Sequence, residues 1–403
     1  MHPDMFSDSP AGTVIRVGDG DSAYWAYVPK PLPPKIEPSL DLMQVLSESD
    51  RALGELSGLG RTISNPHLLI GPFIRREAVD SSRIEGTHTD LPGLYAYESE
   101  RASRRGRKAM PEQADAQEVL NYVRATEYGI RKLKTRELDL KLIGELHRRL
   151  MIGVRGNRAT PGRFRKVQNW IGTGGGLTQA IFVPPPVAEM TASLAELEKY
   201  ILGGNSLPPL IRIALIHYQF EGTHPFIDGN GRIGRLLISL LLVKWGLLPL
   251  PLLYLSSYFE RHRREYYDLL LAISGRGLWQ DWLVFFLKGV AEQSRDAIAR
   301  AKRLQDLQLD WRTKLLKQRA PAALLLLADH LFDSPVLSIP QAQRLLELSY
   351  PGTQKVIGKL VDLRILTPAD ESEYGKLFIA REILRISVKG TSDHEIKLFG
   401  AKV

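Results

Sequence analysis

The stretch HPFIDGNGRIGR, residues 224–235, decides how the rest of this chain is interpreted. It separates two apolar helical patterns, at about residues 210–220 and 231–245, by a turn rich in glycine. The second pattern is apolar over most of its circumference, as expected of a helix buried in the centre of a bundle. We therefore predict a mainly α-helical fold with a helical hairpin at its centre and a polar turn between the two helices.

The turn contains residue types that suit the binding of a polyphosphate. Gly229 and Gly231 allow the backbone to approach an anion closely. The amides that open the following helix would point at that anion, favoured by the helix dipole. Arg232 and Arg235 lie three residues apart, so they share a helix face and can reach the same polyphosphate.

Two further side chains of the turn could carry chemistry. Asp228 is a hard oxygen ligand suited to magnesium held between phosphates. His224 is the only nearby side chain with an unperturbed pKa close to neutrality. Each residue alone is common in ordinary turns, but their coincidence in one short span favours a functional site.

These residues resemble the Fic family motif, H-P-F-x-[DE]-G-N-G-R-x-x-R, at every defining position. The resemblance implies a helical Fic core over residues 113–291 that transfers AMP from ATP to a serine, threonine or tyrosine hydroxyl of a protein, its own chain included. It implies His224 as the base and Asp228 as the ligand of Mg²⁺ or Mn²⁺. It also implies a nucleotide-binding set that comprises Gly229, Asn230, Gly231, Arg232, Gly234 and Arg235.

Residues 163–183 form a second stretch with a family resemblance. Their β-branched and aromatic residues surround a glycine-rich centre, which predicts a short β-hairpin. The second arm resembles the Fic flap, which holds a target segment by strand addition; an ordinary surface hairpin is the alternative. The flap residues are Thr178, Gln179, Ala180, Ile181, Phe182 and Val183.

Two neighbouring aromatic residues complete the predicted nucleotide site. Tyr266 and Tyr267 resemble paired aromatics that line the adenosine pocket in Fic relatives, and core packing is the alternative. Ser274 stands where relatives have an asparagine that touches the nucleotide, so this contact differs here.

The upstream segment SSRIEG, residues 81–86, resembles the inhibitory motif [ST]-x-x-x-E-[GN] of autoinhibited Fic proteins. It closes a predicted helix at about residues 72–86, on which Ser81 and Glu85 share a face. A carboxylate there can pair with Arg235 in a forked geometry. Because Arg235 would otherwise hold the γ-phosphate, Glu85 is predicted to inhibit transfer; a surface carboxylate near a helix end is the alternative.

The C-terminal residues 320–403 differ in pattern from the core. Three helical patterns are followed by a hairpin, which predicts a winged-helix domain. A charged helical linker at 292–319 joins it to the core, and residues 1–112 form an N-terminal region. The alternative function is therefore a DNA-binding regulator, but the presumed recognition helix offers only a modest basic face, with Gln354, Lys355 and Lys359.

Other Fic activities remain alternatives within the family. Some relatives transfer UMP, phosphocholine or a phosphate, and some remove AMP. The phosphate-transferring branch departs from Gly-Asn-Gly in the turn, so the intact Gly229-Asn230-Gly231 argues against that branch.

Composition limits the remaining choices. The formal net charge of +9 suits nucleic acid, nucleotide phosphates or acidic protein partners. The absence of cysteine excludes disulfides, thiolate–zinc sites and a cysteine nucleophile, and fits a reducing compartment. The most apolar segment, residues 236–250, contains Lys244 and is too short to span a bilayer, and the first residues lack a signal-peptide pattern. We predict a cytoplasmic protein without a membrane partner.

Overall fold

The computed structural model describes residues 1–20, 23–62, 67–103, 113–154, 160–172, 176–177, 179–204, 206–369 and 377–388. The chain forms two compact units. The first comprises Met1–Ser57 and Arg124–Ser294, and the second comprises Gly58–Val123 and Arg295–Val403. The domain boundaries predicted at 112, 291 and 319 stay a prediction.

The fold is mainly α-helical, as predicted. The helices of the described residues are α1 (Leu40–Thr62), α2 (His67–Ile84), α3 (Leu91–Ser103), α4 (Ala114–Leu133), α5 (Leu140–Leu150), α6 (Val187–Leu202), α7 (Pro209–Thr223), α8 (Asn230–Lys244), α9 (Ser256–Arg261), α10 (Arg263–Arg276), α11 (Trp279–Lys317), α12 (Ala322–His330), α13 (Ile339–Leu346), α14 (Tyr350–Asp362) and α15 (Arg381–Val388). The strands are β1 (Gly12–Val17), β2 (Tyr24–Pro29), β3 (Val336–Ser338), β4 (Thr367–Pro368) and β5 (Leu377–Ile379).

The central helical hairpin of the first unit, α7 and α8, confirms the sequence prediction. Nearly every residue of α8 up to Leu242 is buried, including its polar first turn. The indole of Trp282 on α11 is fully buried and donates a hydrogen bond to the carbonyl of Ala214 on α7 at 3.0 Å. Apolar burial on this scale is the main stabilising contribution to such a core.

The N-terminal residues of the first unit contain a hairpin that the sequence analysis missed. The sequence analysis assigned no strands to the first forty residues, but β1 and β2 pair in an antiparallel ladder from Gly12↔Pro29 to Val17↔Tyr24. Tyr27 is buried and packs against Phe6 and Phe182. The alternation of apolar and polar residues that would predict a strand is weak in both β1 and β2. Tertiary packing therefore decides their pairing.

The predicted hairpin at residues 163–183 is less regular than expected. Its described residues contain one antiparallel bridge, Ile171↔Phe182, in place of two paired strands. Two hydrogen bonds from the backbone amides of Ile181 and Phe182 converge on the carbonyl of Ile171, at 2.9 and 3.1 Å.

The second unit contains α2, α3 and the C-terminal elements. The strands form an antiparallel sheet in the order β3-β5-β4. The three predicted C-terminal helices are present as α12, α13 and α14, whereas β3 and α15 were not predicted. Helix α2 starts at His67, five residues before the start predicted at Pro72, and continues through that proline. The winged-helix interpretation stays a prediction.

The membrane question has a limited structural answer. Within the described ranges, every helix is either too short or too polar to cross a bilayer.

Two helical glycines of the first unit test how closely its helices pack. A Cβ at Gly289 on α11 would lie 2.7 Å from Cδ1 of the buried Tyr258 on α9, whereas a Cβ at the exposed Gly54 on α1 would meet nothing within 4 Å. We expect Gly289→Ala to lower the free energy of unfolding by about 1–3 kcal/mol. We expect Gly54→Ala to raise it by up to about 1 kcal/mol. Urea denaturation of both variants measures their free energies of unfolding. If both substitutions changed this free energy equally, the close contact between Gly289 and Tyr258 would be contradicted.

Candidate active site

The turn between α7 and α8 is closed by the side chain of Asn230. Its amide oxygen accepts a hydrogen bond from the backbone amide of Phe226 at 2.8 Å, and its amide nitrogen donates to the carbonyl of Phe226 at 2.9 Å. Both residues are buried, so these bonds satisfy groups that would otherwise be costly to bury. Asn230 was predicted to contact a nucleotide; in this structure its side chain holds the turn.

Two left-handed residues bracket the same turn. His224 ends α7 with φ 48° and ψ 60°, and Gly229 precedes α8 with φ 81°. A left-handed histidine is uncommon and costs conformational free energy, so the surrounding contacts must maintain it. A Cβ at Gly229 would lie 3.0 Å from the sulfur of Met151, which adds a packing reason for glycine.

The carbonyl of His224 is held by two side chains that the sequence analysis missed. Arg165 donates to it from Nε at 3.0 Å, and Asn169 donates from Nδ2 at 3.4 Å. Asn169 also donates to the carbonyl of Phe226 at 2.9 Å. Arg165 is almost fully buried, and burial lowers its pKa to about 10, which leaves it charged at neutral pH. No spacing rule could have paired these residues with a turn so much later in the chain.

The imidazole of His224 is oriented by α7. Its Nδ1 lies 3.3 Å from the carbonyl oxygen of Glu221, to which an Nδ1–H group can donate. In that tautomer Nε2 carries the lone pair, and it is the nitrogen able to accept a proton. The side chain is half-buried and therefore accessible from one side.

A second histidine, His147 on α5, supports the turn from beneath. Its ring stacks on Phe226 with centroids 3.7 Å apart. Its Nε2 lies 3.0 Å from the carbonyl of Asp228, and its Nδ1 accepts from the amide of Gly162 at 2.8 Å. These partners define a neutral imidazole, and burial lowers its pKa to about 4. His147 shares the buried face of α5 with Ile143 and Leu150, and this helical spacing indicates its burial but not its contacts.

The charged side chains of the turn differ in exposure. The Asp228 side chain is 53% exposed, and its Oδ1 accepts from the amide of Gly229 at 2.6 Å. Arg232 is buried, with Nη2 3.6 Å from the same oxygen, and Arg235 is buried one turn further along α8. In the described chain no side chain caps the amino end of α8. The arrangement places two cations and a helix amino end beside an accessible carboxylate.

The donor set fits a magnesium ion that arrives with a nucleotide. Among the described residues, no group of three or more His, Cys, Asp or Glu side chains is placed to hold a metal. Asp228 is the single carboxylate of residues 224–235. Magnesium is commonly held by one or two carboxylates together with substrate phosphates and water, so one exposed carboxylate is sufficient.

Of the other residues predicted to bind the nucleotide, Gly234 and Tyr266 make packing contacts, as does Ser274. Gly234 faces α7, because a Cβ there would lie 2.2 Å from Oε1 of Glu221. Tyr266 is buried, with its hydroxyl 2.9 Å from Nε2 of His217, whereas Tyr267 is 42% exposed. Ser274 is buried with its hydroxyl 2.9 Å from that of Tyr218. The roles of the two tyrosines toward adenosine stay a prediction.

The predicted flap alternates between buried and exposed side chains. Ala180 and Phe182 are buried, whereas Gln179 and Ile181 are exposed. Val183 is buried, and its carbonyl accepts from the amide of Tyr27 at 2.9 Å. Thr178 lies outside the described residues.

The predicted inhibitory motif belongs to the second unit. Helix α2 ends at Ile84, so Glu85 lies in the turn that follows it, where its amide donates to the carbonyl of Ser82 at 3.0 Å. Gly86 has φ 90°, which is a left-handed helix terminus suited to glycine. Ser81 is fully buried, whereas Glu85 is exposed.

Ion pairs attach α2 to other parts of the second unit. Arg76 pairs with Asp296 on α11 at 3.2 Å. Asp296 also pairs with Arg300 at 2.6 Å, and Arg300 donates to the carbonyls of Ile386 and Ser387 on α15 at 2.6 and 3.1 Å. Arg300 is buried, so the network links α2 to α11 and α15 through a desolvated guanidinium whose hydrogen bonds are satisfied.

The fold and the turn define a mainly helical protein built around a histidine-containing, glycine-rich turn between two buried helices. Family models match the chain in two places: residues 43–131 match the Fic/DOC family N-terminal domain, and residues 137–242 match the Fic/DOC family domain. The chain therefore carries the N-terminal and the Fic domains of the Fic/DOC family.

Individual relatives agree with this assignment. The chain is 35% identical over 136 residues to the protein adenylyltransferase Fic of Drosophila grimshawi, which covers 33% of this chain and 25% of the fly protein. It is 30% identical over 135 residues to the protein of the same name from Culex quinquefasciatus, covering 33% and 24% of the two chains. The chain thus spans about a quarter of the length of these curated relatives.

A solved structure shares the fold over most of the chain. The crystal structure of a Fic family protein from Desulfovibrio desulfuricans G20 aligns with a TM-score of 0.55 at 21% identity. The alignment covers 87% of this chain and 98% of that one.

A buried histidine of α7 makes a pH-dependent contribution to stability. Burial lowers the pKa of His217 to about 3, so it stays neutral in the folded chain while it protonates near pH 6.5 in the unfolded chain. Its contribution is complete above pH 6.5 and is lost as pH falls toward 3. Between pH 7 and pH 5 we expect the wild type to lose about 2 kcal/mol of unfolding free energy relative to His217→Phe, because the variant lacks this histidine. Chemical denaturation at each pH tests this, and a constant difference would contradict it.

Proposed function

We propose that this protein transfers AMP from ATP to serine, threonine or tyrosine hydroxyls of proteins, and that Glu85 restrains the activity. The observation that carries the proposal is the position of His224, with Nδ1 against the Glu221 carbonyl at the start of the turn that leads into the amino end of α8. Two curated relatives of the chain are named protein adenylyltransferase Fic, which supports the same reaction.

His224 would act as the general base. A protein hydroxyl is a weak nucleophile until a base within hydrogen-bond reach accepts its proton, which contributes typically about 10²–10⁴-fold. The proton would pass to Nε2 as the hydroxyl oxygen forms a bond to the α-phosphorus of ATP. The bond from the α-phosphorus to the oxygen that bridges it to the β-phosphate would break, and pyrophosphate would leave.

The amino end of α8 would stabilise the charge that moves during this reaction. Its first amides and dipole favour an anion, and Arg232 and Arg235 add two buried cations on the same helix. Since these groups are already held in place, little reorganisation is needed when the phosphorus reacts. Asp228 would hold Mg²⁺ or Mn²⁺, whose charge neutralises phosphate oxygens when it is bound.

The protein substrate would bind beside the flap. Gln179 and Ile181 are exposed in a segment where Ala180, Phe182 and Val183 are buried, as in a strand with one accessible face. Backbone pairing with a target segment supplies affinity without demanding a sequence. The chain itself is also a candidate substrate.

Glu85 would compete with ATP for Arg235. A carboxylate and a guanidinium form a strong forked pair, and the γ-phosphate needs the same guanidinium. The exposed position of Glu85, in the turn after α2, supports a role in such contact better than a role in the core of the second unit.

DNA binding stays an alternative for the C-terminal region. Helix α14 exposes Gln354, Lys355 and Lys359 and buries Ile357 and Leu360, as its sequence pattern predicts. Two lysines give a small phosphate-binding surface, so AMP transfer is the function we favour.

Incubation with labelled ATP tests the proposed function. We expect Glu85→Gly and the isosteric Glu85→Gln to increase AMP incorporation into the chain or into lysate proteins, and His224→Ala in the Glu85→Gly background to abolish it. Because His224 lies in a turn and is half-buried, its alanine variant should keep the melting temperature. Mass spectrometry of the product distinguishes AMP from UMP or phosphate, and near-normal transfer by His224→Ala would refute the assignment of the base.

Arg235 provides the second test of inhibition. A charge-assisted hydrogen bond contributes roughly 1.5–3 kcal/mol, so Glu85→Gly should raise turnover about ten- to hundredfold. Arg235→Ala also removes the inhibitory partner, but it removes the γ-phosphate contact as well, so the double variant should be less active than Glu85→Gly alone. A Glu85→Gly protein that is both inactive and unstable would instead indicate a structural ion pair.

A further inference from the structure

A groove of about 720 Å³ lies beside the turn in the first unit. Phe164, Val167 and Trp170 line it from the segment that precedes the Ile171 bridge, and Ile227 lines it from the turn itself. Ile227 stands between His224 and Asp228 in the sequence. One wall of the groove is therefore the proposed catalytic turn.

The groove combines exposed apolar side chains with positive charge. Val167 is 60% exposed and Trp170 is 43% exposed. Arg163 and Lys166 are exposed and line the same groove, and the described lining contains no carboxylate. Large apolar side chains that remain clustered at a surface mark interaction sites, and aromatic residues with arginine are typical of their centres.

The segment that forms the groove has a second, buried side. Arg165 is buried and binds the carbonyl of His224, while its neighbours in sequence line the groove; Asn169 is half-buried, lines the groove and donates to the same carbonyl. The groove-lining Trp170 is followed by the exposed Ile171, which bridges to Phe182 of the predicted flap. A molecule in the groove would contact the segment that positions His224.

We propose that the groove binds the residues that flank the modified hydroxyl in the target protein. The occupant is an extended segment that places an apolar side chain against Val167 and Trp170 and carboxylates opposite Arg163 and Lys166. The inference rests on the proposed function, because the groove takes its meaning from its position beside His224. It adds a substrate class to that function: acidic target segments with an apolar anchor.

Charge reversal in the full chain, in the Glu85→Gly background, tests the proposal. The probes are short synthetic peptides with one central threonine and an apolar neighbour, with either acidic or basic flanks. We expect Arg163→Glu with Lys166→Glu to lower kcat/KM for the acidic peptide about tenfold and to raise it for the basic peptide. Trp170→Ala should lower kcat/KM for both peptides about tenfold, chiefly through KM.

A matched charge reversal supplies the control. Lys141→Glu with Lys199→Glu changes the net charge equally at exposed positions on α5 and α6, and should leave the peptide preference unchanged. If this control reverses the preference as strongly as the groove variant, the effect comes from overall charge and the proposal is wrong. An unchanged preference in the groove variant would also overturn it.

Peptide binding, measured by fluorescence anisotropy, separates the groove from the chemistry. If AMP is never transferred but acidic peptides still bind in a manner that depends on Arg163 and Lys166, the groove stands and the proposed function fails. If AMP is transferred to the chain itself while neither binding nor turnover depends on the groove, the proposed function stands and the groove proposal fails.

Discussion

The pair of hydrogen bonds between the Asn230 side chain and the Phe226 backbone is the interaction on which the site depends. These bonds join the first residue of α8 to Phe226, two residues after His224. The amino end of the helix and His224 are therefore held in one short loop. The Phe226 carbonyl also accepts from Asn169, which ties the closed turn to the segment before the flap. Each such bond contributes only about 0.5–1.5 kcal/mol, but leaving these buried groups unpaired would cost more.

The turn is rigid because its supporting groups are buried and paired. His224 adopts a left-handed conformation, which the hydrogen bonds of Arg165 and Asn169 to its carbonyl can maintain. His147 stacks below Phe226, and burial keeps it neutral, so it holds the turn without adding a positive charge. The positive charge near the turn comes from arginines: Arg165 at the His224 carbonyl, and Arg232 and Arg235 on α8.

The second unit joins two parts of the chain that are distant in sequence. The helix that ends at the predicted inhibitory motif pairs through Arg76 with Asp296, and Asp296 pairs with Arg300, which in turn binds backbone carbonyls of α15. The C-terminal region is therefore part of what stabilises α2. These contacts hold the helix that precedes Glu85.

The sequence by itself determined the helical hairpin and the composition of the turn. The apolar circumference of α8 and the motif of residues 224–235 depend on local spacing, which a sequence displays directly. Spacing also predicted that Ser81 and Glu85 share a helix face, whereas in the structure α2 ends at Ile84, Ser81 is buried and Glu85 is exposed in the turn that follows.

Only the tertiary structure decided which side chains hold the turn. Asn230 and Gly234 have the residue types of a nucleotide site, yet one binds Phe226 and the other allows close packing against Glu221. Arg165, Asn169 and His147 support the turn from remote positions, and the β1–β2 hairpin forms although its strands alternate weakly. Such contacts depend on which buried groups meet after folding. Buried polar groups need hydrogen-bond partners and buried side chains need close packing, and the residues that meet these needs can be far apart in sequence.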